Sequence, residues 1–314
     1  MQVVVIGGAG VLGQALLKAI VARGVLTRSD GVPAPVRRVI AVDRRQSARL
    51  FVEPRVEYVR ADLDSPRLLQ AVMGIATDSV FHAWDSGAGS GRSTPSFALA
   101  DSLRDLFSVS ELQSSRPKVV LASSFAANSG TAAAQPDPAR ALPASEDGLT
   151  ALVGELLVEE ATRRGRVEGR ALRLPMIAAA PGCMSFLGEL MPALVEGRQG
   201  RCPIPLDAPL WLTSAQAAAR ALVHEHELPP SASGEAGVLN APACTLSVVS
   251  LVQASARLFG HAVDPPQVEL DPVLCDALAQ RPYRVAIETA LTLGFEDGLD
   301  AEALVRELVA AADP

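Results

Sequence analysis

The residues with the clearest chemistry stand at the start of the chain. In Gly7-Gly8-Ala9-Gly10-Val11-Leu12-Gly13 the glycines can be spaced as Gly7-x-x-Gly10-x-x-Gly13 or as Gly8-x-Gly10-x-x-Gly13. They follow the apolar run Val3-Val4-Val5-Ile6 directly. Glycine allows a tight turn and lets backbone come close to a ligand, and the N–H groups of a helix start attract phosphate oxygens. A glycine turn between a strand and a helix therefore reads as a pyrophosphate cradle for a dinucleotide. The next apolar run ends in Ala41-Val42-Asp43-Arg44-Arg45. A carboxylate there accepts hydrogen bonds from both adenosine ribose hydroxyls and repels a 2′-phosphate, which favours NAD over NADP. Arg44 or Arg45 could instead pair with a 2′-phosphate, and Asp43 could simply end a strand. A third run ends in Arg60-Ala61-Asp62-Leu63, where Asp62 either takes the adenine amino group or caps the helix that starts near Ser65.

These groups need a sheet to hold them. Short β-branched runs alternate with amphipathic stretches, the pattern of a parallel sheet flanked by helices. Strands are expected at Gln2–Ile6, Arg38–Val42, Val56–Arg60, Ser79–Ala83, Lys118–Ala122 and Arg170–Leu174. Helices are expected at Val11–Arg23, Ser65–Met73, Pro95–Gln113 and Leu149–Arg164, the last with a stripe through Leu149, Leu152, Val153, Leu156, Leu157 and Ala161. The Gly13-to-Asp43 interval exceeds the usual ~20 residues, and Thr27–Pro35 reads as a loop that absorbs the excess. Beyond about Pro175 the pattern loosens into helices near Thr213–Glu227, Leu246–Phe259, Pro272–Ala279 and Ala301–Ala311. The reading is an α/β chain: a doubly wound Rossmann domain over 1–177 and a smaller α+β substrate lobe over 178–314, with some interleaving. Gly/Ser-rich Ser86–Ser96 and Ala/Pro-rich Ser129–Asp147 are loops at the ligand edge.

Composition excludes several classes. With 314 residues, 49% hydrophobic, the chain buries a sizeable core and is not disordered. A net charge of −7 argues against electrostatic docking on nucleic acid or an anionic membrane. The four cysteines lie far apart without a C-x-x-C, so no disulfide framework and no metal site is expected. His224 and His226 sit two apart on one helix and point to different faces, which disfavours a metal pair. No signal peptide and no membrane span is read, and a soluble cytoplasmic protein is expected.

Taken together, Gly7/Gly10/Gly13, Asp43, Ala61-Asp62-Leu63, Val80-Phe81-His82-Ala83, Leu121-Ala122-Ser123-Ser124 and Arg173-Leu174-Pro175 resemble the extended short-chain dehydrogenase/reductase family, its NAD-dependent epimerase/dehydratase group. Within it, the run from Glu155-Leu156-Leu157 through Leu172-Arg173-Leu174-Pro175 to Pro181-Gly182 is most similar to the D-erythronate dehydrogenase branch. The resemblance implies that Gly7, Gly10, Val11, Leu12, Gly13, Asp43, Arg44, Asp62, Leu63, His82, Ala83 and Pro175 surround NAD. It also implies a two-fold dimer through the helices at 95–113 and 149–164, although the same apolar stripe could be core.

The family works with a Ser and a Y-x-x-x-K pair, one helical turn apart, whose lysine lowers the pKa of the phenol. Ser124 matches the serine, but Asp147 falls at the tyrosine position and Ala151 at the lysine position. The chain has two tyrosines, Tyr58 and Tyr283, and two lysines, Lys18 and Lys118, and neither tyrosine has a lysine four residues on. The usual relay is therefore absent. Asp147 is either a helix N-cap or a replacement acid/base with no lysine neighbour, whose pKa burial would raise. Asn128 could orient a carbonyl, while His82 reads as a core histidine or a base and Arg173 as a residue paired within its strand. Asp85, Arg92 and Cys183 are further polar groups at that edge. Two function classes follow: an oxidoreductase or epimerase on a small hydroxy or carbonyl compound with Ser124 and Asp147 in its relay, or a catalytically silent NAD-binding sensor or scaffold.

Overall fold

The computed structural model describes residues 1–44, 50–61, 66–74, 76–83, 98–128, 142–178, 185–230, 232, 237–260 and 264–312. The chain opens with β1 (Gln2–Ile6), the glycine turn and α1 (Val11–Arg23). The hairpin β2 (Val25–Thr27) and β3 (Pro33–Pro35) precedes β4 (Arg38–Asp43) and β5 (Val56–Arg60). Then come α2 (Pro66–Met73), β6 (Ser79–His82), α3 (Ala98–Ser110) and β7 (Lys118–Ser124). A 3-10 turn (Phe125–Ala127), α4 (Glu146–Arg163), β8 (Glu168–Leu174) and β9 (Met176–Ile177) follow. The C-terminal part runs through α5 (Ser185–Val195), β10 (Arg201–Cys202), β11 (Leu210–Thr213), α6 (Ala215–Glu227), β12 (Val238–Asn240) and β13 (Cys244–Leu246). It finishes with α7 (Val248–Phe259), β14 (Gln267–Val268), α8 (Pro272–Ala279), α9 (Glu288–Thr292) and α10 (Ala301–Ala312).

Seven parallel strands form one sheet in the order β12-β8-β7-β6-β1-β4-β5. The chain moves outward from β1 in one direction through β4 and β5, then returns to start β6 on the other side of β1. This reversal opens a crevice beyond the carboxyl ends of β1 and β6, where doubly wound sheets bind ligands. Val3, Val4, Val5 and Ile6 are fully buried because helices cover both faces. Leu16, Leu17 and Ile20 of α1 and Ala218, Ala219 and Leu222 of α6 pack on one face. The other carries Leu69 and Met73 of α2, Leu103 and Leu106 of α3, and Val158 and Ala161 of α4. A second core joins α5, α7, α10 and β11 through Leu190, Leu194, Leu212, Leu251, Leu304 and Val305. From the C-terminal part, α6 and β12 return to the main sheet.

Three expectations need correction. Thr27–Pro35 is not a plain loop: Val25–Thr27 pairs antiparallel with Pro33–Pro35. Second, α4 starts three residues earlier than its apolar pattern, at Glu146, because the Ser145 hydroxyl accepts from Gly148 N. Asp147 is consequently in the first turn and is not the cap. Third, the face of α4 turned to the sheet is Gly148, Ala151, Gly154, Glu155, Val158 and Ala161. From the expected stripe Leu149 and Leu156 point outward, 43% and 55% exposed. Small residues are required on the inner face, where a Cβ on Gly154 would stand 3.1 Å from both Leu121 and Leu99.

Candidate active site

The glycine turn sits at the head of the crevice. Gly7 has φ +83°, which a side chain would resist, and the N–H groups of Gly7 and Gly8 both donate to Val42 O at 2.8 and 3.2 Å. A Cβ on Gly13 would lie 2.1 Å from Gly7 O, so helix and turn can approach this closely only with glycine there. Gly10 is the N-cap of α1 and offers no side-chain acceptor. The first-turn N–H groups are thereby left for an external acceptor, as a pyrophosphate would supply. Val11 is exposed and Leu12 half-buried at this helix start. Asp43 caps the turn from the neighbouring strand: its Oδ2 accepts from Ala9 N at 3.0 Å. Arg44 is exposed beside it.

Gln14 belongs to no motif, yet it braces this turn. Its Nε2 donates to Gly8 O at 2.5 Å and its Oε1 accepts from Phe51 N at 2.6 Å. The Tyr58 hydroxyl donates to Phe51 O at 2.9 Å. A polar side chain inside an apolar helix was the available signal. Opposite the turn, Ala83 N donates to Ile6 O at 2.9 Å, which carries β6 one residue past its last pair. The His82 ring is buried in the sheet layer, with Nε2 3.0 Å from the Ser102 hydroxyl of α3. Burial pushes its pKa down to about 4, so the ring is neutral at ordinary pH. Pro175 links β8 to β9 at the same carboxyl edge. Asp62, Leu63, Arg45, Asp85, Arg92, Cys183, Pro181-Gly182 and the segments 86–96 and 129–141 lie outside the described residues.

The second half of the site is at the carboxyl end of β7. Ser124 ends this strand and caps the 3-10 turn, its Oγ accepting from Ala126 N at 3.2 Å. The head of α4 is pressed against this turn: a Cβ on Gly148 would fall 2.1 Å from Ala126 O. That contact brings Asp147 to the turn of Ser124. Asp147 is not isolated, because its Oδ2 accepts from Arg281 Nη2 at 3.0 Å. The cation beside it is an arginine 134 positions away, on the C-terminal side of α8. At the lysine position Ala151 is a buried methyl. Neither lysine can substitute: Lys18 is exposed on α1, and Lys118 lies at the opposite edge of the sheet, 3.8 Å from Glu168.

Asn128 is fully buried, with its amide engaged. Its Nδ2 donates to Phe125 O at 3.0 Å and to Asn240 Oδ1 at 3.4 Å, while its Oδ1 accepts from Arg173 Nη1 at 2.7 Å. The structure therefore places this amide behind the Ser124 turn. Arg173 does not pair within its strand; it reaches α4 and holds Glu155 with two bonds of 2.8 Å. The Ser123 hydroxyl donates to the same carboxylate. His224 and His226 diverge as their spacing demands. His226 is stacked on Phe81 and bonded to Ser79 and Glu227, whereas His224 meets Leu293 O and the edge of Phe295.

A parallel sheet with a glycine turn at its switch point, an acidic residue ending the adjacent strand and an exposed helix start defines a Rossmann-type dinucleotide-binding fold. Comparison with known proteins narrows the class. Residues 3–209 match the NAD dependent epimerase/dehydratase family, and the chain belongs to it. It is 31% identical over 318 residues to a D-erythronate dehydrogenase of Cupriavidus necator, covering 98% of this chain and 97% of that protein. A D-erythronate dehydrogenase of Haemophilus influenzae is 24% identical, with 98% and 99% covered. The crystal structure of a nucleoside-diphosphate-sugar epimerase from Agrobacterium tumefaciens superposes with a TM-score of 0.82 at 23% identity, covering 99% of this chain and 94% of that one. The family's nicotinamide dinucleotide fits the uncapped start of α1 and the close-packed glycine turn described above.

Proposed function

We propose that this enzyme is an NAD-linked dehydrogenase of a small hydroxy acid of the D-erythronate type, with Asp147 and Ser124 in place of the family's tyrosine-centred relay. The observation that carries this reading is the seating of the α4 head on the Ser124 turn through Gly148 and Ala126 O. That seating supports a role for Asp147 and Ser124 in one proton-transfer site, since Asp147 precedes Gly148 and Ser124 caps the turn that carries Ala126. The substrate class is supported by the two near-full-length relatives named as D-erythronate dehydrogenases.

The turn of Gly7 to Gly13 and the start of α1 would hold the pyrophosphate, and Asp43 the adenosine ribose, with Ala83 and Pro175 near the nicotinamide end. Asp43 supports NAD over NADP, since its carboxylate repels a 2′-phosphate. Bound there, the dinucleotide supplies a hydride acceptor. Ser124 donates a hydrogen bond to the substrate oxygen, and Asp147 takes the hydroxyl proton as the carbonyl forms. Asn128 is assigned here to holding the Ser124 turn from behind. The leucines turned outward on α4 support a homodimer across α3 and α4.

The test combines calorimetric titration with NAD⁺, NADH, NADP⁺ and NADPH and turnover assays on D-erythronate and related hydroxy acids. Binding of NAD(H) tighter than NADP(H), with NADH formed from D-erythronate and lost in Asp147→Asn, is the expected result. Full turnover by Asp147→Asn removes the aspartate from the relay. Absence of nucleotide binding refutes the dehydrogenase reading altogether.

A further inference from the structure

We infer that Arg281, contributed by the C-terminal lobe, is the positioning cation of the reaction centre: it fixes the Asp147 carboxylate so that the other oxygen faces the substrate. This rests on the role proposed above for Asp147 and names the group that completes it. The helix itself cannot provide the cation, since Ala151 stands where a lysine one turn on would be. Arg281 provides it from outside. Its side chain is only 12% exposed, and its Nη2 lies 3.0 Å from Asp147 Oδ2, while the Asp147 side chain is 36% exposed. One carboxylate oxygen is thus committed to a nearly buried guanidinium, and the side chain still reaches open space. Among the described residues Arg281 is the charged partner of Asp147.

The reach of Arg281 is built into the fold. Its own N–H donates to Leu278 O at 3.0 Å at the end of α8. Two residues on, Tyr283 O accepts from the Thr245 hydroxyl of β13 at 2.7 Å. Val285 is buried at 2% exposure, and Ala286 O accepts from Asn240 Nδ2 of β12 at 3.3 Å. Asn240 also accepts from Asn128 behind the Ser124 turn. The strap bearing Arg281 and the turn bearing Ser124 are therefore both tied to the end of β12 through Asn240.

The chemistry follows from that placement. With NAD⁺ bound as the oxidant, the electron pair of the substrate C–H bond would leave as hydride to it, and the O–H proton would pass to Asp147. The C–O bond becomes a carbonyl, Asp147 becomes neutral and Arg281 keeps its charge throughout. In a Y-x-x-x-K helix both partners move as one body. Here the couple spans two lobes, and it exists only when the C-terminal lobe is seated on α4.

The experiment measures NAD⁺-dependent oxidation of D-erythronate by wild type, Arg281→Gln, Arg281→Lys, Asp147→Asn and the Asp147→Asn/Arg281→Gln pair across a pH series. NAD⁺ affinity is followed by calorimetry and folding by thermal melting. Arg281→Gln should lower kcat about ten- to a hundredfold, part of the usual general-base contribution, shift the pH profile and leave NAD⁺ affinity unchanged. Arg281→Lys should recover part of kcat and restore the profile, and the pair should be no slower than Asp147→Asn alone. Wild-type kcat and pH profile in Arg281→Gln overturn the inference and leave hydroxy-acid oxidation standing. If Arg281→Gln melts early, Arg281→Lys decides: a fall without recovery of the wild-type profile overturns the positioning role. An inactive wild type overturns the dehydrogenase reading, and this role with it.

Discussion

Replacing Arg173 by methionine should destabilise the protein by about 3–5 kcal/mol, the range for removing one partner from a buried ion pair. Arg173 and Glu155 are 8% and 3% exposed. The substitution removes two bonds of 2.8 Å to the carboxylate and one of 2.7 Å to Asn128 Oδ1. Summing bonds to charged groups at about 1.5–3 kcal/mol each would exceed that range, but they share one guanidinium and are not independent. The dominant cost is the Glu155 carboxylate left inside a packed layer with the Ser123 hydroxyl as its remaining described donor. Urea denaturation gives the free energy, and the melting temperature should fall on the order of 10 °C. The control is Glu155→Leu/Arg173→Met, which removes both charges and should lose less than Arg173→Met alone. The reasoning is refuted if Arg173→Met costs less than about 1 kcal/mol, the level of a surface pair, or if the double variant is the less stable. Because Asn128 backs the Ser124 turn, kcat should fall in Arg173→Met even at temperatures where it is folded.

Three further outcomes are expected. Asp43→Ala removes the acceptor of Ala9 N and the proposed ribose contact, and calorimetry should show NAD⁺ binding weakened about tenfold or more; unchanged affinity would place the nucleotide elsewhere. His82 has its pKa lowered by burial from 6.5 to about 4. The unfolded chain therefore takes up its proton first, so this contribution is complete above pH 6.5 and is lost as pH falls to 4, by about 3 kcal/mol in all. Urea midpoints across that window should drop less in His82→Phe than in wild type, and equal drops refute the assignment. Sedimentation velocity should report a dimer that Leu156→Glu dissociates, while a wild-type monomer at every concentration removes α3 and α4 as an interface.

The sheet was most legible at β1 and β4, which are covered on both faces and read as apolar runs. Gln2–Ile6 and Val56–Arg60 match residue for residue, and Val11–Arg23 does so for the helix. Elements stabilised by something other than their own pattern were hidden. Val25–Thr27 and Pro33–Pro35 are three residues each, and the second carries two prolines that normally argue against a strand, yet they pair as a hairpin. In α4 the apolar stripe, which suited either a dimer contact or the core, overlaps the buried face at Ala161, while Leu149 and Leu156 are exposed. Its inner face needs close approach to Leu121 and Ala126 and is therefore built from Gly148, Ala151 and Gly154, which a hydrophobicity pattern does not register.

The site divides along the same physical line. The glycine turn and Asp43 are local features, and the bonds Gly7–Val42 and Ala9–Asp43 are what their spacing implies. Asp147 was visible as a substitution, but its ion pair was not, because the partner is Arg281 and nothing in the sequence between them signals the contact. Glu155 and Arg173 were likewise separately readable, one on a helix and one on a strand, and acquire meaning only as a pair behind Asn128. Charged residues spaced along a chain suggest only the partners within one turn or one strand pair. A couple between α4 and the segment after α8 lies beyond that range, so the sequence showed the loss of Y-x-x-x-K and not the ion pair of Asp147. In the folded chain a carboxylate and a guanidinium meet at the head of that same helix.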